Sequence, residues 1–340
     1  MSTNKKISIK DIANLAGVSP SLVSFVLNGK QKQYRVSDQV AEKIKILAKE
    51  LHYKPNGFAK SLREGTSHTI GVIVSDISNR FFSDIVRNIE IAAEEKGYMA
   101  IFSSSDENAE TLSDLTYNML SKGVDGIIVV PCEGSDKTIE MLVEKKIPVV
   151  LLDRCIPSIR TDYVCLNNLQ ASYIATKHLL ENGFKNIALV TYDLNLTNVS
   201  GRINGYKQAM TESGNKDNIN TKFVSIKNLA KSTQKAMSSL SESGTDAVIF
   251  ATNSIAIQGL YYIQKNDIRI PDDMGLVCFD GGTEFDFFYA PLTYISQPRE
   301  MLARKSVEIL IEKIESGNTM VQQVEAEGIL IKQASSVKTK

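Results

Sequence analysis

The chain has 340 residues, 43% of them apolar, with 39 Lys and Arg against 39 Asp and Glu, which allows one small domain plus a larger body with a sizeable core. No apolar run approaches the roughly 18 residues of a membrane span, and the polar start MSTNKKISIKD lacks the apolar stretch of a signal peptide, so neither membrane insertion nor export is expected. The zero charge balance hides an asymmetry: residues 1–65 carry twelve basic and five acidic side chains, and the other 275 carry twenty-seven and thirty-four. A basic head on an acidic body is what a sequence-independent pull on phosphates requires.

The first predicted elements lie in Ser8 to Gly29, SIKDIANLAGVSPSLVSFVLNG. Ser8 is placed to cap a helix whose apolar face is Ile9, Ile12, Ala13, Leu15 and Ala16, with Asp11 near its positive end. Gly17 falls where a turn needs a positive φ. Ser19 caps a second helix, and Pro20 suits its first turn, where the missing N–H needs no partner. Val23, Val26 and Leu27 face the first helix, and Asn28-Gly29 ends the second. Helix, glycine turn, helix is the helix-turn-helix plan, whose second helix enters a DNA major groove; an ordinary helical hairpin has the same spacing. Ser37 opens a third helix, SDQVAEKIKILAKELHY, with Val40, Ile44, Leu47, Ala48 and Leu51 on one face. Asn56 is placed to cap a short helix in GFAKSLREG, where Phe58, Ala59 and Leu62 are apolar and Lys60 and Arg63 are available to phosphates.

From Thr69, apolar strands alternate with amphipathic helices: TIGVIVS, FFSDIVRNIEIAAEEKG, YMAIFSS, ETLSDLTYNMLSKG, DGIIVVP, TIEMLVEKK and IPVVLLD. Runs such as Gly126 to Val130 are apolar on both faces, as parallel strands covered on each side must be. The rhythm restarts with VCLNN, SYIATKHLLENG, NIALVTY, RINGYKQAMTESG, DAVIFAT, IAIQGLYYIQKN and GLVCFDG. Two series imply two doubly wound lobes, with a small-molecule cleft at the carboxyl ends of their strands. Polar residues fall at those ends: Asp76, Asn79-Arg80-Phe81-Phe82, Asp153-Arg154, Arg202, Asn253, Asp280 and Gln297. No glycine-rich phosphate loop follows a strand, which disfavours nucleotide binding of that kind.

IKDIANLAGVSPSLVSFVLNG, VSDQVAEKI and LHYKPNGFAKSLR, followed by GVIVSDISNRFF, VDGIIVVP, IPVVLLDR, ATKHLLENGFKNIALV, GRINGYKQAM and PLTYISQP, resemble the lactose-repressor (LacI/GalR) family of bacterial transcription regulators in order and spacing, over nearly the whole chain. The resemblance implies an α/β fold: an N-terminal all-α helix-turn-helix headpiece (1–55), a hinge helix and linker (56–65), and a two-lobed core of doubly wound parallel sheets, like a periplasmic binding protein (66–340). It implies chain crossings between lobes near 164, 295 and 325, with a long helix after Pro298 belonging to the first lobe. DNA contacts are expected from Ser19, Pro20, Ser21, Leu22, Ser24, Phe25, Asn28, Tyr53, Asn56, Lys60 and Leu62. Leu62 is expected to wedge into the minor groove, packing on its own headpiece being the alternative. Phe81, Asp153, Arg202, Asn253, Asp280 and Gln297 would line the effector pocket, with Phe82 in core or dimer packing.

The chain departs from the family at the reading helix. Where the family often has arginine, the commonest reader of guanine, it has Phe25, which either touches a thymine methyl or packs inward; Pro20 and Leu22 replace polar residues. The loop GKQKQYR after Asn28 is longer than usual, with Lys30, Lys32 and Arg35 available for backbone contacts. The expected function is a cytoplasmic, ligand-responsive regulator, a repressor of a carbohydrate-use operon that binds near-palindromic double-stranded DNA as a homodimer. The dimer face would include the helix at 81–96 and its counterpart after Ser254. A purine- or nucleoside-responsive regulator with a corepressor, or a sugar-binding protein without a DNA role, are the alternatives. The pocket's mix suits a sugar or sugar derivative. Catalysis finds no GxSxG or HExxH motif; His178 is expected on a helix surface, and His52 in a phosphate contact or packing. No cofactor or metal is called for, and Cys132, Cys155, Cys165 and Cys278 are expected as buried reduced thiols.

Overall fold

The computed structural model describes residues 7–53, 65–282 and 285–338, and the chain divides into two compact units, Met1–Ser67 and His68–Lys340. Asn56, Lys60 and Leu62, with the hinge helix expected around them, lie outside the described residues.

The first unit holds α1 (Ile9–Ala16), α2 (Pro20–Leu27) and α3 (Asp38–Glu50). Ser8 and Asp11 form a reciprocal capping box at the start of α1, and Gly17 closes that helix at φ +73°. Lys43 of α3 reaches the Ala16 carbonyl at 3.0 Å, satisfying an end group of α1. Ser19 and Ser37 cap α2 and α3 through the amides of Leu22 and Val40. Ile12, Val23, Val26 and Ile44 are sealed between the three helices, each burial worth roughly 1.5–3 kcal/mol. Leu15 departs from its expected place: it is 58% exposed, because the stripe facing the other helices is only as wide as Ile12, Ala13 and Ala16.

The second unit contains two six-stranded sheets, ordered β11-β5-β4-β3-β1-β2 and β12-β10-β9-β8-β6-β7. The first lobe runs β1 (Thr69–Val74), α4 (Arg80–Glu95), β2 (Met99–Ser104), α5 (Ala109–Ser121), β3 (Gly126–Val129), α6 (Asp136–Glu144), β4 (Val149–Leu152) and β5 (Asp162–Leu166). The second runs α7 (Asn168–Glu181), β6 (Ile187–Tyr192), α8 (Thr197–Glu212), β7 (Asn220–Val224), α9 (Leu229–Glu242), β8 (Ala247–Phe250), α10 (Asn253–Lys265), β9 (Gly275–Phe279) and β10 (Thr293–Ser296). Then α11 (Arg299–Ser316) packs on α4 and the first sheet, β11 (Gln323–Ala326) pairs with β5, and β12 (Ile329–Ile331) pairs antiparallel with β10. The chain therefore crosses between lobes after Leu166, at Gln297-Pro298 and at Glu327-Gly328. In both sheets the strand that opens the lobe lies between its second and third, which puts the switch in strand order, and hence a crevice, at matching places.

Four elements went unread in the sequence, β7, α9, β11 and β12; the last two are short strands of three or four residues. β7 is an edge strand with only Val224 buried, and α9 packs through the small or flexible Thr233, Ala236, Met237 and Leu240, so neither of these two carries a strong apolar pattern. His178 is also not where the sequence suggested. It is buried in α7, its Nε2 2.7 Å from Ser336 Oγ, which in turn bonds Thr293. The C-terminal turn that folds over this face hides a side chain that helix periodicity placed outside.

Helices α7 and α8 pack closely because Gly201 and Gly205 put bare backbone against Asn168 and Leu169. A Cβ on Gly205 would overlap the Leu169 carbonyl oxygen. Gly205→Ala is therefore expected to lower stability by about 1–3 kcal/mol, read by urea unfolding; an unchanged midpoint would contradict this packing. Burial, with Lys332 nearby, holds the His178 pKa below its ordinary value. A base whose pKa is depressed in the fold stabilises it above the unfolded pKa and loses that contribution as pH falls below about 6.5. Melts from pH 8 to 5 should fall less steeply for His178→Gln than for the wild type.

Candidate functional site

A cavity of about 270 Å³ opens at the carboxyl ends of the strands of both sheets. Asp153 follows β4 and Asp280 follows β9, and the two lobes place them by the same device. Each sits at a positive φ, +67° and +63°, a conformation aspartate tolerates better than most residues. Each donates its amide to the neighbouring strand, Asp153 to Val164 and Asp280 to Ile295. The strand ends and the carboxylate turns into the cleft.

With Arg154, Arg202 on α8 is one of two arginines among these acids. Its Nε donates to Asn168 Oδ1 at 2.8 Å, its Nη1 donates to the Ala251 carbonyl, and its guanidinium lies 4.2 Å above the Phe279 ring. Burial pulls its pKa down, opposed by Asp280 and Asp153. Burial pushes both aspartates up, against Arg154 and Arg202 for Asp153 and against Arg202 and Gln297 for Asp280. Arg154 serves two acids: it holds Glu107 in a two-pronged pair, stands 3.4 Å from Asp153 Oδ2 through its Nε, and donates to the Pro131 carbonyl. Burial alone would lower its pKa, and Glu107 together with Asp153 and Cys132 more than reverses that. Ser75 Oγ is buried and has no hydrogen-bond partner among the described residues, so the wall keeps polar capacity to offer.

Phe81 and Phe82 begin α4 and meet edge to face, ring centres 5.0 Å apart. Both line the cavity and both belong to the core of the first lobe, so Phe82 does more than the packing expected of it. Of the six residues proposed from the sequence, Phe81, Asp153, Arg202 and Asp280 line the cavity. Asn253 and Gln297 stand behind it. Asn253 accepts from the Ser254 amide and donates to Asn79 Oδ1 at 3.1 Å, and Gln297 Nε2 donates to Asp280 Oδ1. Lining residues the sequence reading passed over include Glu107, Tyr192 and Asn198. Tyr192 was open to the same strand-end rule; Asn198 has no comparable signal.

Several hydrogen bonds bridge the lobes. Asn253 and Ser254 of α10 meet Asn79 at the head of α4. Thr197 Oγ1 accepts from the Cys155 amide at 3.2 Å and donates to its carbonyl at 3.0 Å. Asn198 Nδ2 reaches Asp153 Oδ2 at 3.5 Å. Any opening of the cleft must remake these.

In the first unit, Ser21 and Pro20 are exposed, while Leu22 and Tyr53 pack on the helix core. The Ser19 hydroxyl is used in capping, and the Asn28 amide turns back to Ser24. Phe25 neither stands alone nor packs inward. It stacks on Tyr34 of the following loop, ring centres 3.6 Å apart and planes within 2°.

Two family models match the chain. That of "Bacterial regulatory proteins, lacI family" covers residues 8–56, and that of "Periplasmic binding proteins and sugar binding domain of LacI family" covers 67–334. The HTH-type transcriptional repressor PurR of Aliivibrio fischeri is 30% identical over 313 residues, 90% of this chain and 91% of its own. Among solved structures, a transcriptional regulator CelR–cellobiose complex is 25% identical with a TM-score of 0.70, covering 97% of this chain and 99% of that one. The lac repressor dimer bound to operator and an anti-inducer superposes with a TM-score of 0.86 over 98% of this chain and all of that one; at 23% identity this likeness speaks for the fold.

Asp280→Asn keeps an acceptor for Gln297 and removes a charge that burial resists. Because burial holds the Asp280 carboxyl above its ordinary value, the free variant is expected to be more stable than the wild type at pH 8. An acid whose pKa is raised in the fold loses its penalty as pH falls towards the ordinary carboxylate value, so the two proteins should converge in melts near pH 4. A variant that melts lower at pH 8 would contradict this electrostatic reading.

Proposed function

Because the chain belongs to the LacI family of bacterial regulatory proteins, we infer that it is a ligand-gated repressor, a homodimer that grips a near-palindromic operator and changes its grip when a small molecule fills the cleft. The chain is a DNA-binding transcription regulator and not an enzyme. Residues 1–55 read DNA, 56–65 form the hinge, and 66–340 bind effector and dimerise. Work on an operator puts the protein in the cytoplasm; among the described residues no helix is long and apolar enough to cross a membrane.

The effector we propose is a neutral, hydroxyl-rich molecule, a sugar or sugar derivative. The observation that carries this is the pair of buried carboxylates, Asp153 and Asp280, turned into one cavity with Arg202 between them in charge. Carboxylates accept from adjacent hydroxyls, Arg202 donates, and Phe81 with Phe82 offers an apolar face to a ring. Five acids line the cavity against two arginines, one of which is already paired with Glu107. A phosphorylated ligand would meet net negative charge there. The relative bound to cellobiose supports the same class. Asn253 and Gln297 serve as props, one for the bridge to Asn79 and the other for the Asp280 carboxylate.

In this mechanism, effector binding remakes the lobe-bridging bonds of Asn79, Thr197 and Asn198 and alters the spacing of the two hinges in the dimer. The dimer face includes the helix at 81–96 and its counterpart after Ser254. Because the two sites are coupled, operator must change effector affinity by the same factor that effector changes operator affinity.

The test is a thermal-melt screen of purified protein against mono- and disaccharides, sugar phosphates, nucleosides and nucleobases. A ligand at about 100 times its Kd adds roughly 2.7 kcal/mol. Unphosphorylated sugars are expected to shift the melt, and Arg202→Ala to abolish the shift. Hits confined to purines or to phosphorylated compounds would overturn the proposed effector class.

A further inference from the structure

We propose that Tyr34, in the loop after α2, is a specificity-determining residue: stacked on Phe25, it makes with it a two-ring apolar surface that reads thymine methyl groups in the operator's major groove. The proposal rests on the DNA-binding function and concerns how the base sequence is read.

Helix α2, PSLVSFVL, has no charged residue. Its buried side is Val23 and Val26, so its outer side runs through Ser21, Ser24, Phe25 and Asn28, at helical spacing. The Asn28 amide is spent on Ser24, donating to the Ser24 carbonyl at 2.6 Å. No side chain on this helix can offer guanine a two-pronged donor. What remains at its centre is an aromatic face, and the group on a base edge that an aromatic face contacts best is the C5-methyl of thymine.

The loop lays a second ring over the first and fixes it, so that the face turned outward is that of Tyr34, backed by Phe25. Gly29 turns the chain at φ +71°. The Lys30 amide then donates to the Phe25 carbonyl at 2.8 Å, Tyr34 to Lys30 at 3.2 Å, and Val36 to Gln31 at 2.9 Å. These bonds return Tyr34 over Phe25 with parallel rings. Tyr34 is nonetheless 48% exposed. An ordered pair of rings held towards solvent is preorganised for a partner. The charge around it says which: Lys30, Lys32 and Arg35 flank the stack with no acid between Gln31 and Ser37, and residues 1–65 are strongly basic. The phosphates beside a major groove complement that pattern.

The experiment selects binding sites for the full-length protein from a randomised duplex pool. Single thymines in the strongest site are then replaced by deoxyuridine, which removes only the methyl group. For the wild type, one or two such positions in each half-site should weaken binding by about fourfold each, the worth of one buried CH2. Tyr34→Ala should lose most of the preference for thymine over uracil, keeping only what Phe25 supplies, and Tyr34→Phe should keep the wild-type preference. Tyr34→Phe keeps the stack and should melt like the wild type, while Tyr34→Ala gives up one half-exposed ring contact and should lower the melt only slightly. Uracil duplexes bound as tightly as thymine ones, an unchanged thymine preference in Tyr34→Ala, or a Tyr34→Phe as impaired as Tyr34→Ala would each overturn the proposal. Failure to enrich any sequence would instead sink the operator-binding function, and this inference with it.

Discussion

A negative charge buried where a parallel strand ends is tolerated only if cations and donors surround it. Asp153 and Asp280 impose that condition from opposite lobes, and much of the cleft is arranged to meet it. Arg202 stands between the two in charge, held by Asn168, by the Ala251 carbonyl and by the face of Phe279. Gln297, at the point where the chain changes lobes, donates to Asp280. Asn198, from the second lobe, reaches Asp153 in the first. The lobes are thus joined partly by a shared electrostatic debt, and a ligand that brings its own donors alters its terms.

The first unit solves a different problem with the same economy. Its core is small, so its helices lean on end chemistry: the capping box at Ser8, the serine caps of α2 and α3, and Lys43 on the last carbonyl of α1. Each such cap contributes about 1 kcal/mol, a large share for a domain this size. Using Ser19 and Asn28 for this purpose leaves the outer face of α2 short of free donors, which is why its aromatic ring matters.

How much was legible in the sequence follows from the range of the signal. Ser8, Gly17, Ser19 and Pro20 were readable because capping and positive φ are decided within three or four residues. The strand and helix rhythm was readable because parallel strands must be apolar throughout, and Asp153 and Asp280 were found because they follow such runs. The three crossings came from the family resemblance; periodicity alone does not say which sheet a strand joins. Leu15 and His178 were misplaced because a helical stripe shows which residues share a face, not what covers it. The Asn79 to Asn253 bridge spans 174 residues and the Phe25 to Tyr34 stack crosses an irregular loop, and neither leaves a periodic trace.

The interleaving of the lobes bears on how the molecule is made. β5 ends at Leu166, but its neighbour β11 is not complete until Ala326, and α11, which covers the first sheet, comes only just before it. At a synthesis rate of about 5–20 residues per second, the roughly 160 residues between them take on the order of 10–30 seconds to appear. Through that interval the first sheet lacks an edge strand and a covering helix, while the second lobe is assembled from the continuous stretch between. The nascent first lobe is therefore an open sheet in need of shielding, and β11 and β12, made only after the whole of the second lobe's other strands, close both halves at once.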